Sequence, residues 1–218
     1  MQGAGFLAIW SDLAPEDETD WAHWLMREHA IERLGVDGFL ACRVFRALGG
    51  TANRYLILYE LETSDAVACP SYLARLNAPT PWSQRIMPRL RNFVRGGGRV
   101  AASAGIGQGG VLAALPLPAE PEWDREALCR DLAAEDRIAA ARILLTDLAQ
   151  TAIQTNEKRL RRADDSFAGL LLIEGLGEAS VRHALSRLSA LAPGLDAQMD
   201  ETPLYAVRFN LDRRLLRR

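Results

Sequence analysis

Residues 39–48, FLACRVFRAL, and residues 54–62, RYLILYELE, flank the turn-forming stretch 49–53, GGTAN. The flanking segments are rich in aliphatic and aromatic residues, and a short glycine-containing stretch between two such segments is typical of a β-hairpin. Both faces of each segment are largely apolar, which is expected when helices cover one side of a sheet and a second sheet covers the other. The sequence therefore predicts a hairpin inside a layered α+β fold.

The elements around this hairpin follow an order that occurs twice along the chain. In residues 1–104 we predict strands at 5–13, 39–48, 54–62 and 92–102 with helices at 15–34 and 64–76. In residues 105–218 we predict strands at 110–117, 142–148, 167–176 and 203–211 with helices at 123–134 and 178–191. We therefore expect two tandem βαββαβ units, 1–104 and 105–218, whose antiparallel sheets pack into one barrel within the chain.

Two stretches between the predicted elements are less regular. Residues 77–90 contain three prolines and are expected to form a long ordered loop. Residues 148–166 are too long and too polar for a hairpin turn, and a short surface helix through 153–162 would account for them. Glycines at 96–98 and between 105 and 110 lack the lysine and the strand-to-helix context of a phosphate-binding loop, so we expect flexible or bulged backbone there.

The composition is that of an ordinary globular protein. Of the 218 residues 49% are hydrophobic and 25% are charged, and the net charge is −2, so no large basic field is available to attract nucleic acid. The three cysteines, Cys42, Cys69 and Cys129, are odd in number, unlike a set of paired disulfides, and they lack the close pairing of a zinc site. We expect reduced thiols, a cytoplasmic protein and no membrane span, because no apolar stretch is long enough.

The first predicted helix carries the strongest candidate for chemistry. Trp21, Trp24 and Leu25 lie on the apolar stripe that would face the sheet, and His29 flanks this stripe at helical spacing. His23 points about 200° away from Trp21 and is the weaker candidate. A histidine at such a position is either a structural residue bonded to its neighbours or a general acid or base. We predict His29 as the catalytic residue and Trp24 as a wall of the site.

Arg43 is a cation on an otherwise apolar strand, so it must be paired or must meet a ligand anion. Glu60 and Glu28 are the expected pairing partners, and the alternative role is that of an anion-binding residue for a substrate. Both alternatives remain open at the level of the sequence.

Three more aromatic residues are candidate substrate contacts. Tyr55 and Tyr59 share one face of a strand and could offer hydroxyl groups to a pocket, although buried tyrosines are also common in cores. Trp82 in the proline-rich loop could form a lid or could anchor the loop by burying its indole.

The run from Trp24 through His29 to 38–43, GFLACR, followed by 54–60, RYLILYE, resembles the helix and hairpin of EthD-like and stress-responsive proteins. These belong to the ferredoxin-like dimeric α/β-barrel superfamily, in which two βαββαβ units pair their sheets. The resemblance implies a ligand in the cleft between sheet and helices with a first-helix histidine nearby, and His29 matches. Members include monooxygenases, decarboxylases, isomerases and haem-dependent enzymes, so the fold alone does not select a reaction.

The resemblance and the residues together give two functional hypotheses. The first is a protein that binds a small apolar or aromatic molecule in the first unit and converts it without a cofactor or a metal. The second is a non-catalytic interaction or assembly module with a side-chain-filled barrel. A cavity above about 300 Å³ that reaches His29 would favour the first hypothesis. Association into a homo-oligomer is compatible with both.

Overall fold

The computed structural model describes residues 1–50, 53–118, 123–161, 163–195 and 202–217. Its strands are β1 (Gly5–Leu13), β2 (Phe39–Leu48), β3 (Asn53–Leu61), β4 (Arg91–Ala104), β5 (Val111–Leu117), β6 (Ile138–Thr146), β7 (Gly169–Gly175) and β8 (Leu204–Asp212). Its helices are α1 (Glu18–Trp24), α2 (Ala30–Leu34), α3 (Pro70–Asn77), α4 (Pro81–Ile86), α5 (Arg125–Ala133), α6 (Leu148–Thr151), α7 (Asn156–Arg159), α8 (Glu178–Ser186) and α9 (Leu188–Leu191). A π-helical turn, Leu25–His29, joins α1 to α2.

The strands form a closed antiparallel barrel in the order β1-β3-β2-β8-β5-β7-β6-β4. Within the first half the order is β4-β1-β3-β2, and within the second half it is β8-β5-β7-β6, so equivalent strands take equivalent places. The pairs β2–β8 and β4–β6 join the two halves. The predicted α+β fold, with two βαββαβ units closing an intrachain barrel, is confirmed. The domain boundary at 104 and 105 stays a prediction, and β4 ends and β5 begins on either side of it.

The two halves also share a local irregularity in their central hairpins. The β2–β3 register shifts between Phe39 and Ala41, and the β6–β7 register shifts between Ile138 and Ala140. A bulge of this kind places two residues of one strand opposite one residue of its partner and breaks the alternation of faces. Strict alternation would place Phe39 on the same face as Phe45, and the bulge explains why Phe39 instead packs on the helix side.

Three apolar layers result from this arrangement. One lies between the first-half sheet and helices α1 to α4, and another lies between the second-half sheet and helices α5, α8 and α9. The third fills the barrel itself with the side chains of Phe6, Trp10, Phe45, Leu58 and Leu172, among others. The barrel is therefore a packed core and not a ligand channel.

Glycine allows β4 to reach both of its neighbouring strands. β4 pairs with β1 and also with β6, and Gly98 takes part in both pairings. A Cβ atom at Gly98 would lie 2.1 Å from the carbonyl oxygen of Leu145, closer than any real contact. The glycines 96–98 thus belong to strand β4 at the closure of the barrel and pair with β1 in regular register, whereas β4 has register shifts on either side of them.

Two local predictions differ from the structure, the first entirely and the second in part. Residues 77–90 contain helix α4 and a 3₁₀ turn, Met87–Arg89, where a loop was expected, because Pro81 occupies the first turn and Thr80 caps the helix by accepting a hydrogen bond from Ser83 N at 3.0 Å. In the insertion at 148–166, α7 lies within the predicted helix range 153–162, but α6 precedes it and α7 is partly buried and not a surface helix. Thr155 and Glu157 in this insertion are buried, since it packs over the first half of the chain.

Candidate functional site

A small, partly open cavity lies between the outer face of the first-half sheet and its helices. Its volume is about 40 Å³, which is room for roughly three water molecules. Aromatic and aliphatic side chains form most of its wall, including Trp21, Trp24, Tyr59, Tyr72 and Phe93. Its charged and titratable lining residues are His29, Arg33, Arg95, Glu157, Lys158 and Arg161. The cavity reaches His29 but is much smaller than the 300 Å³ that would accommodate a typical ligand.

His29 is the last residue of the π-helical turn and is 4% exposed. Its ring packs against Trp24 with the ring centroids 4.1 Å apart, and its Nδ1 has no hydrogen-bond partner among the described residues. Burial holds the pKa of His29 well below 6.5, and the positive charges of Arg33 and Arg161 lower it further. His29 is therefore a neutral imidazole at pH 7. In this neutral form, one ring nitrogen carries a lone pair that can accept a proton.

This buried imidazole predicts a specific dependence of stability on pH. Below pH 6.5 the unfolded chain takes up a proton at residue 29, whereas the folded chain does not. The free energy of unfolding should therefore fall with decreasing pH, from about 6.5 towards the folded pKa, by about 1.4 kcal/mol per pH unit for this proton. In His29→Gln this contribution should be missing, while His23→Gln should retain it. Urea unfolding of the three proteins between pH 7.5 and 5 measures the effect, and identical slopes would show that His29 is accessible to protons in the folded state.

Two hydrogen bonds fix the tryptophans of this region. Trp24 Nε1 donates to Ser83 Oγ at 3.1 Å, and Trp82 Nε1 donates to Asp20 Oδ1 at 3.0 Å. Both bonds join α4 to α1. Trp24 lines the cavity, whereas Trp82 lies outside its wall and fastens α4 to the first helix, which is the anchoring role considered from the sequence.

The two candidate tyrosines differ in their position relative to the cavity and in the surroundings of their hydroxyl groups. Tyr59 lines the cavity and is fully buried, and burial raises its pKa well above 10. Tyr55 is not in the cavity wall, because its hydroxyl donates to Glu18 and its ring packs on Trp21 at 4.3 Å. Cys42, next to Tyr59 in the cross-strand register, has its thiol pKa raised to about 12 by burial, so it is a poor nucleophile.

A cluster of buried charges forms one side of the cavity. Arg33 is paired with Glu157, and Arg161 lies 3.8 Å from the same carboxylate. Arg161 also binds Asp164 at 2.6 Å, and its guanidinium stacks over the ring of Phe93 at 4.1 Å. These contacts place two cations close to His29 in a partly apolar surrounding, which would stabilise negative charge forming on a nearby group.

The insertion between β6 and β7 supplies much of this charge. We call residues 148–161 the cap, because they belong to the second half of the chain but cover the cavity of the first half. Asn156 N donates to Asn77 Oδ1 at 3.0 Å, and Gly97 N donates to Thr151 Oγ1 at 3.2 Å. The candidate site is therefore assembled from both halves, contrary to the expectation that the first unit alone would form it.

Arg43 does not lie at this cavity. It points into the barrel, is 1% exposed and binds both carboxylate oxygens of Glu174, with Nη1–Oε1 at 3.0 Å and Nη2–Oε2 at 2.8 Å. Arg142 donates to the same carboxylate at 2.7 Å. The pairing expected with Glu60 or Glu28 is wrong, because the second half closes over this face of the sheet and brings Glu174 there. Glu60 instead accepts hydrogen bonds from Gln2 N at 2.6 Å and Gln108 Nε2 at 3.1 Å.

Several site residues were missed in the sequence although signals for some were present. Arg33 lies four residues after His29, so both share one helix face. Arg142 and Glu174, like Arg43, are single charged residues in apolar strands. This shared feature could have indicated that the three side chains pair with one another. Nothing local in 148–161 indicates which surface the cap covers.

Among the described residues no group of three or more histidine, cysteine, aspartate or glutamate side chains is arranged to hold a metal ion. The helices formed by the described residues are too short or too polar to cross a bilayer. The expectations of a cytoplasmic location, of no bound nucleic acid and of homo-oligomer formation stay predictions.

Comparison with known proteins supports the fold. No family model matches the sequence, and no curated protein matches it significantly. An anthrone oxidase-like protein of known structure superposes with a TM-score of 0.55 and 12% identity over 98% of this chain and 94% of its own. A "putative monooxygenase" from Fusobacterium nucleatum subsp. nucleatum gives a TM-score of 0.53 and 11% identity over 97% and 96%. The chain therefore has the ferredoxin-like α+β barrel fold, while the closer likeness to EthD-like proteins stays a prediction.

Proposed function

We propose that the protein binds a small apolar or aromatic compound in the cleft beneath the cap and that His29 acts there as a general base. One observation carries this proposal. A neutral imidazole with an unpartnered Nδ1 lines a cavity that also holds other buried polar atoms without a hydrogen-bond partner among the described residues, namely Trp21 Nε1, Arg33 Nη1, Tyr59 Oη and Gln150 Oε1. A buried polar atom without a partner costs free energy, so its retention at a cavity wall points to a functional role.

The surroundings of His29 suit proton abstraction. A neutral imidazole can remove a proton from an acidic O–H or C–H group of a ligand, and Arg33 and Arg161 would stabilise the resulting anion. Oxygenation and isomerisation can both start from such an anion. The structural neighbours that bear the names anthrone oxidase-like protein and monooxygenase are compatible with this chemistry, and we propose the cofactor-independent monooxygenase, decarboxylase or isomerase type as the reaction class.

A ligand larger than a few atoms requires movement of the cap. The cavity holds only about 40 Å³, and the cap consists of two four-residue helices tied down by side-chain contacts. Short helices gain little stability of their own, so these contacts determine the position of the cap. We propose that the cap opens to admit the ligand, with Trp24 and Tyr59 as walls.

A second candidate function is the non-catalytic interaction or assembly module. The specific observation in its favour is the barrel interior, which is filled by side chains, together with the small size of the cavity in its closed form. In this case His29 would be a core residue and the charged cluster would serve only to fasten the cap.

A blocked cleft distinguishes the two candidates. Leu73 is half-buried on α3 and lines the cavity, so Leu73→Trp should fill it. Leu191→Trp, at a half-buried leucine of the second half, is the matched control. We expect native mass spectrometry and a thermal-shift panel of small aromatic compounds to find a ligand for the wild type and for Leu191→Trp but not for Leu73→Trp. At a hundredfold excess over Kd such a ligand stabilises the fold by about 2.7 kcal/mol. If no compound co-purifies or raises the Tm, the module is the correct interpretation.

A further inference from the structure

Two cations of the cleft converge on one uncharged acceptor. Arg95 of β4 donates from Nη1 to the carbonyl oxygen of Thr151 at 3.3 Å, and Lys158 of α7 donates from Nζ to the same oxygen at 3.5 Å. Both side chains line the cavity. Two like charges that share a single carbonyl repel each other, and negative charge supplied nearby would offset this repulsion.

The protein supplies little of that negative charge. Among the described residues no carboxylate forms an ion pair with Arg95, and its other acceptor is the Tyr72 hydroxyl at 3.5 Å. The carboxylate nearest to Lys158 is Asp164 at 4.0 Å, and Arg161 already occupies both oxygens of Asp164 at 2.6 and 2.8 Å.

The other two cations of the cavity are in a different situation. Arg33 and Arg161 have Glu157 between them, and Arg161 has Asp164 in addition. The uncompensated charge is therefore localised at the end of the cleft where β4 meets the cap.

We infer that Arg95 and Lys158 form an anion-binding end of this cleft and that the ligand is a small apolar or aromatic carboxylate. The inference rests on the proposed function of the cleft and specifies its substrate class. A guanidinium presents two parallel N–H groups that match the two oxygens of a carboxylate, and an ammonium adds a compact charge beside it. Both present bonds of Arg95 are long, so a carboxylate would replace weak acceptors by strong ones.

The same exchange would connect binding to movement of the cap. The Thr151 carbonyl belongs to the last residue of α6, and Arg95 and Lys158 hold it at the strand. A carboxylate that takes over these donors releases the Thr151 carbonyl and loosens the cap at the end of α6. His29 and the anion-binding end line the same cavity, so the bound carboxylate would orient the rest of the ligand for proton transfer.

A matched pair of probes tests the inference. Benzoate and benzamide have almost the same shape but differ in charge, and tryptophan fluorescence reports binding because Trp21 and Trp24 line the cavity. We expect the wild type to bind benzoate at least tenfold more tightly than benzamide, with a preference that declines between 20 and 300 mM NaCl. Arg95→Gln and Lys158→Gln should each bind benzoate at least tenfold more weakly and leave benzamide unchanged. Arg99→Gln, at an exposed position of the same strand, is the control and should behave as wild type.

The outcomes separate the inference from the function on which it rests. Equal affinity of the wild type for both probes would overturn the anion-binding end and leave the small-molecule cleft intact. Binding of neither probe would overturn both. If Arg95→Gln lowers the Tm but weakens both probes equally, Arg95 only fastens the cap and the inference fails. The comparison of the two probes on the wild type requires no variant, so a misfolded variant does not prevent the decision.

Discussion

We expect Glu174→Gln to lower the free energy of unfolding by about 3 to 5 kcal/mol, a large fraction of the roughly 5 to 15 kcal/mol that stabilises an ordinary protein. Glu174 is fully buried inside the barrel, and its carboxylate accepts hydrogen bonds from Arg43, Arg142 and the backbone N–H of Gly109. Glutamine has nearly the same volume but no charge, so both guanidinium groups would be left buried without a counter-charge. Truncation of one partner of a buried pair is strongly destabilising for this reason.

Urea unfolding followed by circular dichroism measures this loss. Glu135→Gln is the matched control, because Glu135 pairs with Arg187 on the surface and exposed pairs contribute at most about 1 kcal/mol. Arg43→Ala should also destabilise the fold, but less than Glu174→Gln, because Glu174 would retain Arg142. The triple variant Arg43→Met, Arg142→Met, Glu174→Leu should recover much of the lost stability. A Glu174→Gln protein as stable as the control would mean that water or an ion reaches the cluster.

The second large effect concerns turnover. With the compound that co-purification identifies as substrate, we expect His29→Gln to lower kcat by roughly 10² to 10⁴, the usual contribution of a positioned general base. Above pH 7, His29→Gln should affect the Tm much less than it affects kcat. The reason is that His29 makes no hydrogen bond through Nδ1 that the substitution would break.

His23→Gln is the control for this measurement, since His23 lies on the same helix but outside the cavity wall. Because the pKa of His29 lies well below 6.5, steady-state kinetics should show wild-type activity that persists below pH 6.5 and falls only at the lower pH where His29 becomes protonated. Equal and small effects of both substitutions on kcat would remove His29 from the mechanism. A loss of stability without a change in kcat would assign His29 to the core.

Much of the fold follows from local sequence patterns. The bounds of β1 and β2 were predicted to the residue, and the order of strands and helices was predicted for both halves. Alternation of apolar residues with period two and helical stripes with period 3.6 are local properties, so they are readable without the tertiary structure. The prolines of 77–90 led to the prediction of a loop, because proline ends helices. A proline in the first turn of a helix is favourable, however, and a helix forms there.

For the site, the sequence by itself determined that Trp24 lies on the apolar stripe of the first helix, that His29 flanks this stripe and that Tyr55 and Tyr59 share one face of a strand, because helix and strand periodicity specify the face of a side chain. Only the tertiary structure decided which groups meet them. Arg43 pairs with Glu174, 131 positions away, and the cap of the second half brings Glu157 and Lys158 over the cleft of the first. Barrel closure and the packing of an insertion depend on contacts between distant segments, and such contacts leave no periodic signal in either segment.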